Sequence, residues 1–202
     1  MNGPPESPDD AALVGAPIVG VENAFTELMR RHKGTVYRFI RRYVGDHDDA
    51  HDLLQETFVS AWAALSGFDV NKPLSAWLRR VALNKCRDWS RRRKVRAFFY
   101  TARAIETSSK ALSAPVVSED REQEAMLSAL DAALAALPRT LKEPLLLTAF
   151  EGLSHKQAAN LLNVSSKAIE TRIYRARQIL AREILNQSSP RSGEAPKLEP
   201  RP

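Results

Sequence analysis

The chain of 202 residues has a single cysteine, Cys86, which excludes a disulfide framework and a cysteine-ligated zinc site. Glycine is scarce, at 8 residues, and few segments alternate with period two, so strands and their turns have little support. The expected fold class is all-α. No apolar run approaches the ~18 residues needed to span a bilayer. The opening MNGPPESPDD is acidic and proline-rich, unlike a signal peptide, and a reducing, cytoplasmic setting is expected. No Ser/His/Asp arrangement, Gly-rich phosphate loop or Walker-like lysine is present, so neither covalent catalysis nor a cofactor is expected.

Acids are nearly missing from residues 74–96, LSAWLRRVALNKCRDWSRRRKVR, where Asp88 stands alone among nine lysines and arginines. Trp77, Leu78, Val81, Ala82, Cys86 and Trp89 recur at helical spacing and predict an apolar stripe. The other faces carry Arg79, Arg80, Lys85, Arg87, Arg91, Arg92, Arg93, Lys94 and Arg96. Such a helix packs into a core while facing a polyanion. The formal net charge of +6 agrees with an anionic partner.

Residues 1–20 lack periodicity and read as a disordered leader. Residues 21–44 predict a basic helix whose buried face is Phe25, Leu28, Met29, Val36, Phe39, Ile40 and Tyr43. Asp46 or Asp48 can cap a second helix running to about Leu65, with Ala50, Leu53, Leu54, Thr57, Phe58, Ala61, Trp62 and Leu65 as its apolar set. Its first turns are acidic: Asp48, Asp49, Asp52 and Glu56. Acids at a helix N-terminus suit the dipole, but Asp52 and Glu56 lie beyond the first turn. An acidic ridge on a basic chain is matched to a protein partner with a basic surface. Residues 66–73 form a loop, and Pro73 and Ser75 open the basic helix.

After Phe98-Phe99-Tyr100 the periodicity fades, and residues 101–122 read as a linker between a domain at 21–100 and another at 123–187. In the second domain, Met126, Leu127, Leu130, Leu134 and Leu137 precede Pro138, and Thr140 to Glu151 form a helix closed by Gly152. Ser154 and Gln157 fit a capping box. A short helix containing Ala158, Ala159, Leu161 and Leu162, a turn at Asn163-Val164-Ser165 and a longer helix from Ser166 predict a helix-turn-helix. Ile169, Ile173, Ala176 and Leu180 face its core. Ser165, Ser166, Lys167, Glu170, Thr171, Arg172, Arg175 and Arg177 are candidates for DNA contact, the small and charged residues near the N-terminus for base edges and the later arginines for phosphates. Residues 188–202 read as a disordered tail.

A rival constellation is His47-Asp48-Asp49-Ala50-His51, two histidines four apart, which can bind zinc. HExxH is absent, and His32 and His155 lie in other elements. An exposed, capped helix start accounts for the same residues. A helix-turn-helix on a basic chain also suits a stand-alone transcriptional regulator.

Three blocks together resemble an extracytoplasmic-function sigma factor of bacterial RNA polymerase. Residues 49–65 (DAHDLLQETFVSAWAAL) are similar to region 2.2, residues 74–94 to regions 2.3 and 2.4, and residues 151–180 to region 4.2. Residues 134–150 fit region 4.1, with no room for a region 3 domain. The resemblance implies two small helical domains joined by a flexible linker. It implies a promoter-specificity subunit, often stress-responsive, that binds core polymerase at the β′ clamp helices and β flap, recognises two promoter elements and melts DNA. It places Asp49, Asp52, Gln55, Glu56 and Phe58 against the clamp helices. It places Phe68, Asp69, Asn71 and Lys72 in a specificity loop. Asn84 falls at a pocket for a flipped minus-ten base, and Arg79, Arg80, Lys85, Arg87, Trp89 and Arg91 fall beside the melted strand. The expected partners are core polymerase, duplex and single-stranded promoter DNA, and a cognate anti-sigma factor, often membrane-anchored; no small-molecule substrate, metal or cofactor is implied. Lys167 replaces a glycine and Glu170 a lysine of the commonest family pattern, so relatives do not supply the minus-thirty-five sequence.

Overall fold

The computed structural model describes residues 21–101 and 130–188. The expected leader, the tail beyond Ser188, nearly all of the linker and the first residues of the second domain lie outside the described residues.

Helix α1, Val21–Val44, buries Phe25, Leu28, Val36, Phe39, Ile40 and Tyr43 at spacings of one helical face. It ends at Gly45, whose φ of 81° is the left-handed conformation of a C-terminal cap, and the Gly45 amide donates to the Arg41 carbonyl at 2.9 Å. Asp46 is the cap of α2, His47–Ala64, accepting from the Asp49 amide at 2.9 Å. Thr57, buried mid-helix, donates its hydroxyl to the Leu53 carbonyl at 2.7 Å, which satisfies an otherwise costly polar group. A 3-10 turn, Leu65–Gly67, then leads into α3, Leu74–Thr101, which runs past the expected end at residue 96. Leu74, Leu78, Ala82, Leu83, Cys86 and Trp89 of α3 are buried, closing a three-helix unit.

The second unit opens with a helical run, α4, at residues 130–136. Helix α5, Arg139–Leu145, contains Pro144, which has no amide to donate. The helix then widens into a π turn, Leu146–Phe150, in which the Glu151 amide reaches the Leu146 carbonyl at 3.1 Å and the Thr148 hydroxyl donates to the Pro144 carbonyl at 2.8 Å. Gly152, at φ 67°, turns the chain out of it. Helix α6, His155–Leu162, begins with the capping box: the Ser154 hydroxyl accepts from the Gln157 amide at 3.2 Å, and the Ser154 amide donates to the Gln157 side chain at 2.8 Å. Asn163, at φ 56°, makes the turn, and α7 follows as Ser166–Ser188. Ala158, Ala159, Ile169, Ile173 and Ala176 bury the contact between α6 and α7.

The two units are packed together. Their apolar residues form one continuous core, from Phe25 to Ala176. At the seam, Gly45 lies so close to Ala135 that a Cβ added to it would stand 2.5 Å from the Ala135 Cβ. Two charged residues, Lys142 and Glu143, are buried there at 5% and 4% exposure.

Candidate nucleic-acid and polymerase interfaces

Helix α3 divides its residues among three faces. One is the apolar stripe already described. A second comprises Arg80, Asn84, Arg87 and Arg91, at steps of three and four, which at 100° per residue share one side. Arg80, Asn84 and Arg91 are exposed and Arg87 is half-buried. The third flank, carrying Arg79 and shared by Arg87, turns toward the second unit.

On that flank Arg79 Nε donates to Glu151 at 3.0 Å. Arg87 donates through Nε and Nη2 to the two oxygens of Glu143, at 2.9 and 2.6 Å. Glu143 also receives the Tyr43 hydroxyl at 3.2 Å and Arg139 Nε at 3.0 Å. Lys142 Nζ donates to the carbonyls of Tyr43, at 2.9 Å, and Ala135, at 2.5 Å. Burial pulls the Lys142 ammonium down to about 8. Arg42 lies over the Phe150 ring at 4.4 Å. Arg79 and Arg87, expected beside a melted strand, are here engaged by carboxylates of the second unit. Trp89 also departs from that expectation: it is 7% exposed, with the Arg93 guanidinium 5.1 Å from its ring, so it anchors the helix and offers no free face for a base.

The loop before α3 is ordered from within. Asp69 accepts from the amide and the side-chain nitrogen of Asn71, both at 3.1 Å, and pairs with Lys72 at 3.2 Å. These bonds, the Asn71 amide first, hold the Asp69 carboxyl below its ordinary value. Phe68 packs on Trp77 with ring centroids 5.0 Å apart. The loop and the Arg80–Asn84 side of α3 are thus presented together.

On α2, Asp48, Asp52, Gln55, Val59 and Trp62 form one exposed stripe, acidic at its N-terminal end and apolar at the other. Asp49 and Glu56 flank it, half-buried, with Glu56 facing Arg92 at 3.4 Å. Sequence patterning assigned Trp62 to the core and passed over Val59; Trp62 is 41% and Val59 70% exposed. Phe58 is buried, and its ring forms the floor of a groove with Phe25, Met29, Leu54, Val59 and Trp62. Phe25 stacks edge-on against Trp62 at 4.8 Å, holding the indole in place.

On α7, Lys167, Glu170, Thr171 and Tyr174 lie on the side away from Ile169, Ile173 and Ala176, with Arg175 and Arg177 exposed further along and Arg172 half-buried. Lys167 Nζ pairs with Glu170 at 2.7 Å, which keeps that carboxyl below its ordinary value. The Thr171 hydroxyl is spent on the Lys167 carbonyl at 3.0 Å. Ser165 Oγ accepts from the Ala168 amide at 3.1 Å, so Ser165 caps the helix, and Ser166 is its exposed first residue. Tyr174, at 65% exposure, was missed from sequence; its three- and four-residue offsets from Thr171 and Glu170 are the available signal.

His47 and His51 approach to 4.5 Å between ring centroids, and Tyr37 stacks on His51 at 4.7 Å. Among the described residues no group of three His, Cys, Asp or Glu side chains is placed to hold a metal. No helix among them is long and apolar enough to cross a membrane.

Two family models match the chain: Sigma-70 region 2 over residues 28–96, and Sigma-70 region 4 over residues 127–180. The RNA polymerase sigma factor NccH of Alcaligenes xylosoxydans xylosoxydans is 38% identical, over 83% of this chain and 90% of its own length. The ECF RNA polymerase sigma factor SigM of Mycobacterium tuberculosis (strain H37Rv) is 31% identical, over 86% of this chain and 83% of its own. Among solved structures, CnrH in complex with the cytosolic domain of CnrY matches at a TM-score of 0.63 and 31% identity, covering 89% of this chain and 99% of that one. With region 2 in the first unit and region 4 in the second, the chain belongs to the extracytoplasmic-function sigma factors, the promoter-recognition subunits of RNA polymerase.

Proposed function

We propose that the three surfaces divide the work of transcription initiation. The α2 stripe, with Asp49, Asp52, Gln55 and Glu56 around it and the Phe58 groove beside it, docks on the β′ clamp helices of core polymerase. The loop at Phe68–Lys72 and the Arg80–Asn84–Arg91 side of α3, with Lys85, hold unpaired bases and backbone of the minus-ten element. A base drawn from the stack needs hydrogen-bonding groups around it and cations along its strand, and Asn84 with its neighbouring arginines supplies both. Helix α7 enters the major groove of the minus-thirty-five element, Lys167, Glu170 and Thr171 toward base edges and Arg175 and Arg177 toward phosphates.

The observation that carries this reading is the segregation of charge. Acids gather on α2 and cations on α3 and α7, so one face suits a basic protein surface and the others suit nucleic acid. The chain acts in the cytoplasm and performs no covalent chemistry of its own. CnrH has been solved with CnrY, and the sigma factor RpoE of Bartonella quintana, 25% identical, with the anti-sigma factor NepR. An anti-sigma partner for this chain follows by likeness.

Gel filtration of the chain with bacterial core polymerase, followed by promoter selection with the complex, tests the reading. Co-elution and transcription from a two-element promoter are expected. Tight binding to duplex DNA alone, without core binding, would identify a stand-alone regulator instead.

A further inference from the structure

We propose that Lys167 and Glu170 act as one reading head for a single C·G pair of the minus-thirty-five element, Glu170 accepting from the cytosine amino group and Lys167 donating to the guanine paired with it. The proposal rests on the reading of α7 as the major-groove helix and names what that helix selects.

Glu170 is the sole acid between Glu151 and Glu183, a span that holds the whole helix-turn-helix motif. It lies past the first turn of α7, so the helix dipole does not account for it. On the side away from Ile169 and Ile173 it faces the polyanion, where phosphates repel a carboxylate unless donors offset its charge. Lys167 is one such donor, its Nζ 2.7 Å from Glu170 Oε2, with the side chains 82% and 57% exposed. An ammonium has three protons and a carboxylate about four acceptor sites, so the ion pair leaves each partner able to bond a base. The other donors are on the base edges, where cytosine N4 and adenine N6 are the amino groups of the major groove.

The spacing of the ion pair matches a whole base pair. In C·G the cytosine N4 donates to the guanine O6 across about 2.9 Å. Glu170 Oε2 and Lys167 Nζ stand 2.7 Å apart in the complementary order, acceptor toward the amino group and donor toward the carbonyl, so the four groups close a ring of hydrogen bonds. An A·T pair with its adenine toward Glu170 presents the same two groups, and the purine N7 decides between them. In C·G this extra acceptor lies beside O6, on the lysine's side, where it takes a second ammonium proton. In A·T it lies beside N6, on the carboxylate's side, and repels it. Thr171 does not compete for these polar groups, because its hydroxyl is spent on the Lys167 carbonyl at 3.0 Å.

Holoenzyme assembled from the full-length chain and core polymerase, put through selection on a randomised minus-thirty-five element, tests the pairing. The natural chain is compared with Glu170→Gln, Lys167→Ala and Arg175→Ala, all at exposed positions. The natural chain should prefer C·G over A·T at one position by about tenfold. Glu170→Gln should turn that same position toward A·T, because a glutamine amide bonds both N6 and N7 of adenine. Lys167→Ala should relax that position and no other. A Glu170→Gln chain that binds every sequence more tightly with its preferences unchanged would mean that the carboxylate only repels phosphates, and would overturn the proposal. So would effects of the two variants at different positions, or at a position where the natural chain does not select C·G. Arg175→Ala separates the two levels, since a phosphate contact is lost about equally on every sequence. If that uniform loss is seen while Glu170→Gln and Lys167→Ala leave the base preferences unaltered, only the pairing fails. If the natural chain shows no preference in this element and Arg175→Ala changes nothing, the reading of α7 fails and takes the pairing with it.

Discussion

The Lys142 ammonium lies 4.8 Å from the centre of the Tyr43 ring and 2.9 Å from the Tyr43 carbonyl oxygen, joining the end of α1 to α5 across 99 residues of sequence. Its charge is desolvated, and it is stabilised by two carbonyls and a ring face.

That position makes the joint pH-dependent. Lys142 titrates at about 8 in the fold and near its ordinary 10.5 when unfolded. Below pH 8 both states hold the proton, and the folded state bears the full cost of burying it. Between about 8 and 10.5 the folded state releases the proton first, so this residue's contribution to stability rises with pH, by ~3 kcal/mol in all. Cys86 and Tyr43, whose burial raises both groups, act in the opposite sense at alkaline pH. The test is therefore a difference: urea unfolding of the natural chain against Lys142→Met, from pH 7 to 10. The natural chain should gain on the variant as pH rises; a constant difference would refute the assignment.

Polymerase docking should depend on the α2 stripe and on its acidic flank. Glu56→Lys and Val59→Asp alter half-exposed and exposed positions, so each should shift folding stability by no more than about 0.5 kcal/mol. Each should nevertheless weaken binding to core polymerase by a few kcal/mol, by juxtaposing like charge or by burying an unpaired carboxylate. Pull-down with core polymerase, beside a circular dichroism melt, checks both statements. Unaltered assembly in both variants would remove α2 from the interface.

Promoter opening should require Asn84 more than core binding does. Asn84→Ala is expected to leave co-elution with core polymerase intact and to reduce open-complex formation, scored by permanganate reactivity of the minus-ten thymines. Asp69→Ala, which unties Asn71 and Lys72, should give a weaker form of the same defect.

At the minus-thirty-five element, Lys167→Ala should relax preference at one base pair and cost about 1–3 kcal/mol if Lys167 reads a base edge. Selection from a randomised element measures this. An equal loss on every sequence would reassign Lys167 to the phosphates.

The helix-turn-helix itself should lose about 1 kcal/mol on Ser154→Ala, because the Gln157 amide loses its acceptor. Thermal unfolding reads that loss, and no change would mean that water replaces the hydroxyl at no cost.

Elements whose causes are local were legible in the sequence. Ser154 with Gln157, Asp46, the turn at Asn163 and Gly152 each act within a few residues, and each lies where patterning put it. The fold class followed in the same way, from period and breakers. The seam between the units was not legible. Lys142 and Glu143 look like any solvated charged turn, and nothing nearby announces that partners 56 to 100 residues away will bury them. Trp62 and Val59 were misjudged for a related reason. Periodicity tells which residues share a face, whereas exposure depends on whether another element covers that face. Arg79, Arg87 and Trp89 are expected from sequence on the nucleic-acid side of α3; which guanidiniums a carboxylate engages is a tertiary matter.

The burial of Cys86 makes the chain its own chemical clock. The thiol is 0% exposed, on the flank of α3 that Lys142 and Glu143 cover, and burial holds it well above the ordinary range for a cysteine. It is also the sole sulfhydryl in the chain. The rate at which a thiol reagent consumes it therefore reports how often the core around α3 opens in the unmodified protein, and a ligand that stabilises that packing will slow the rate.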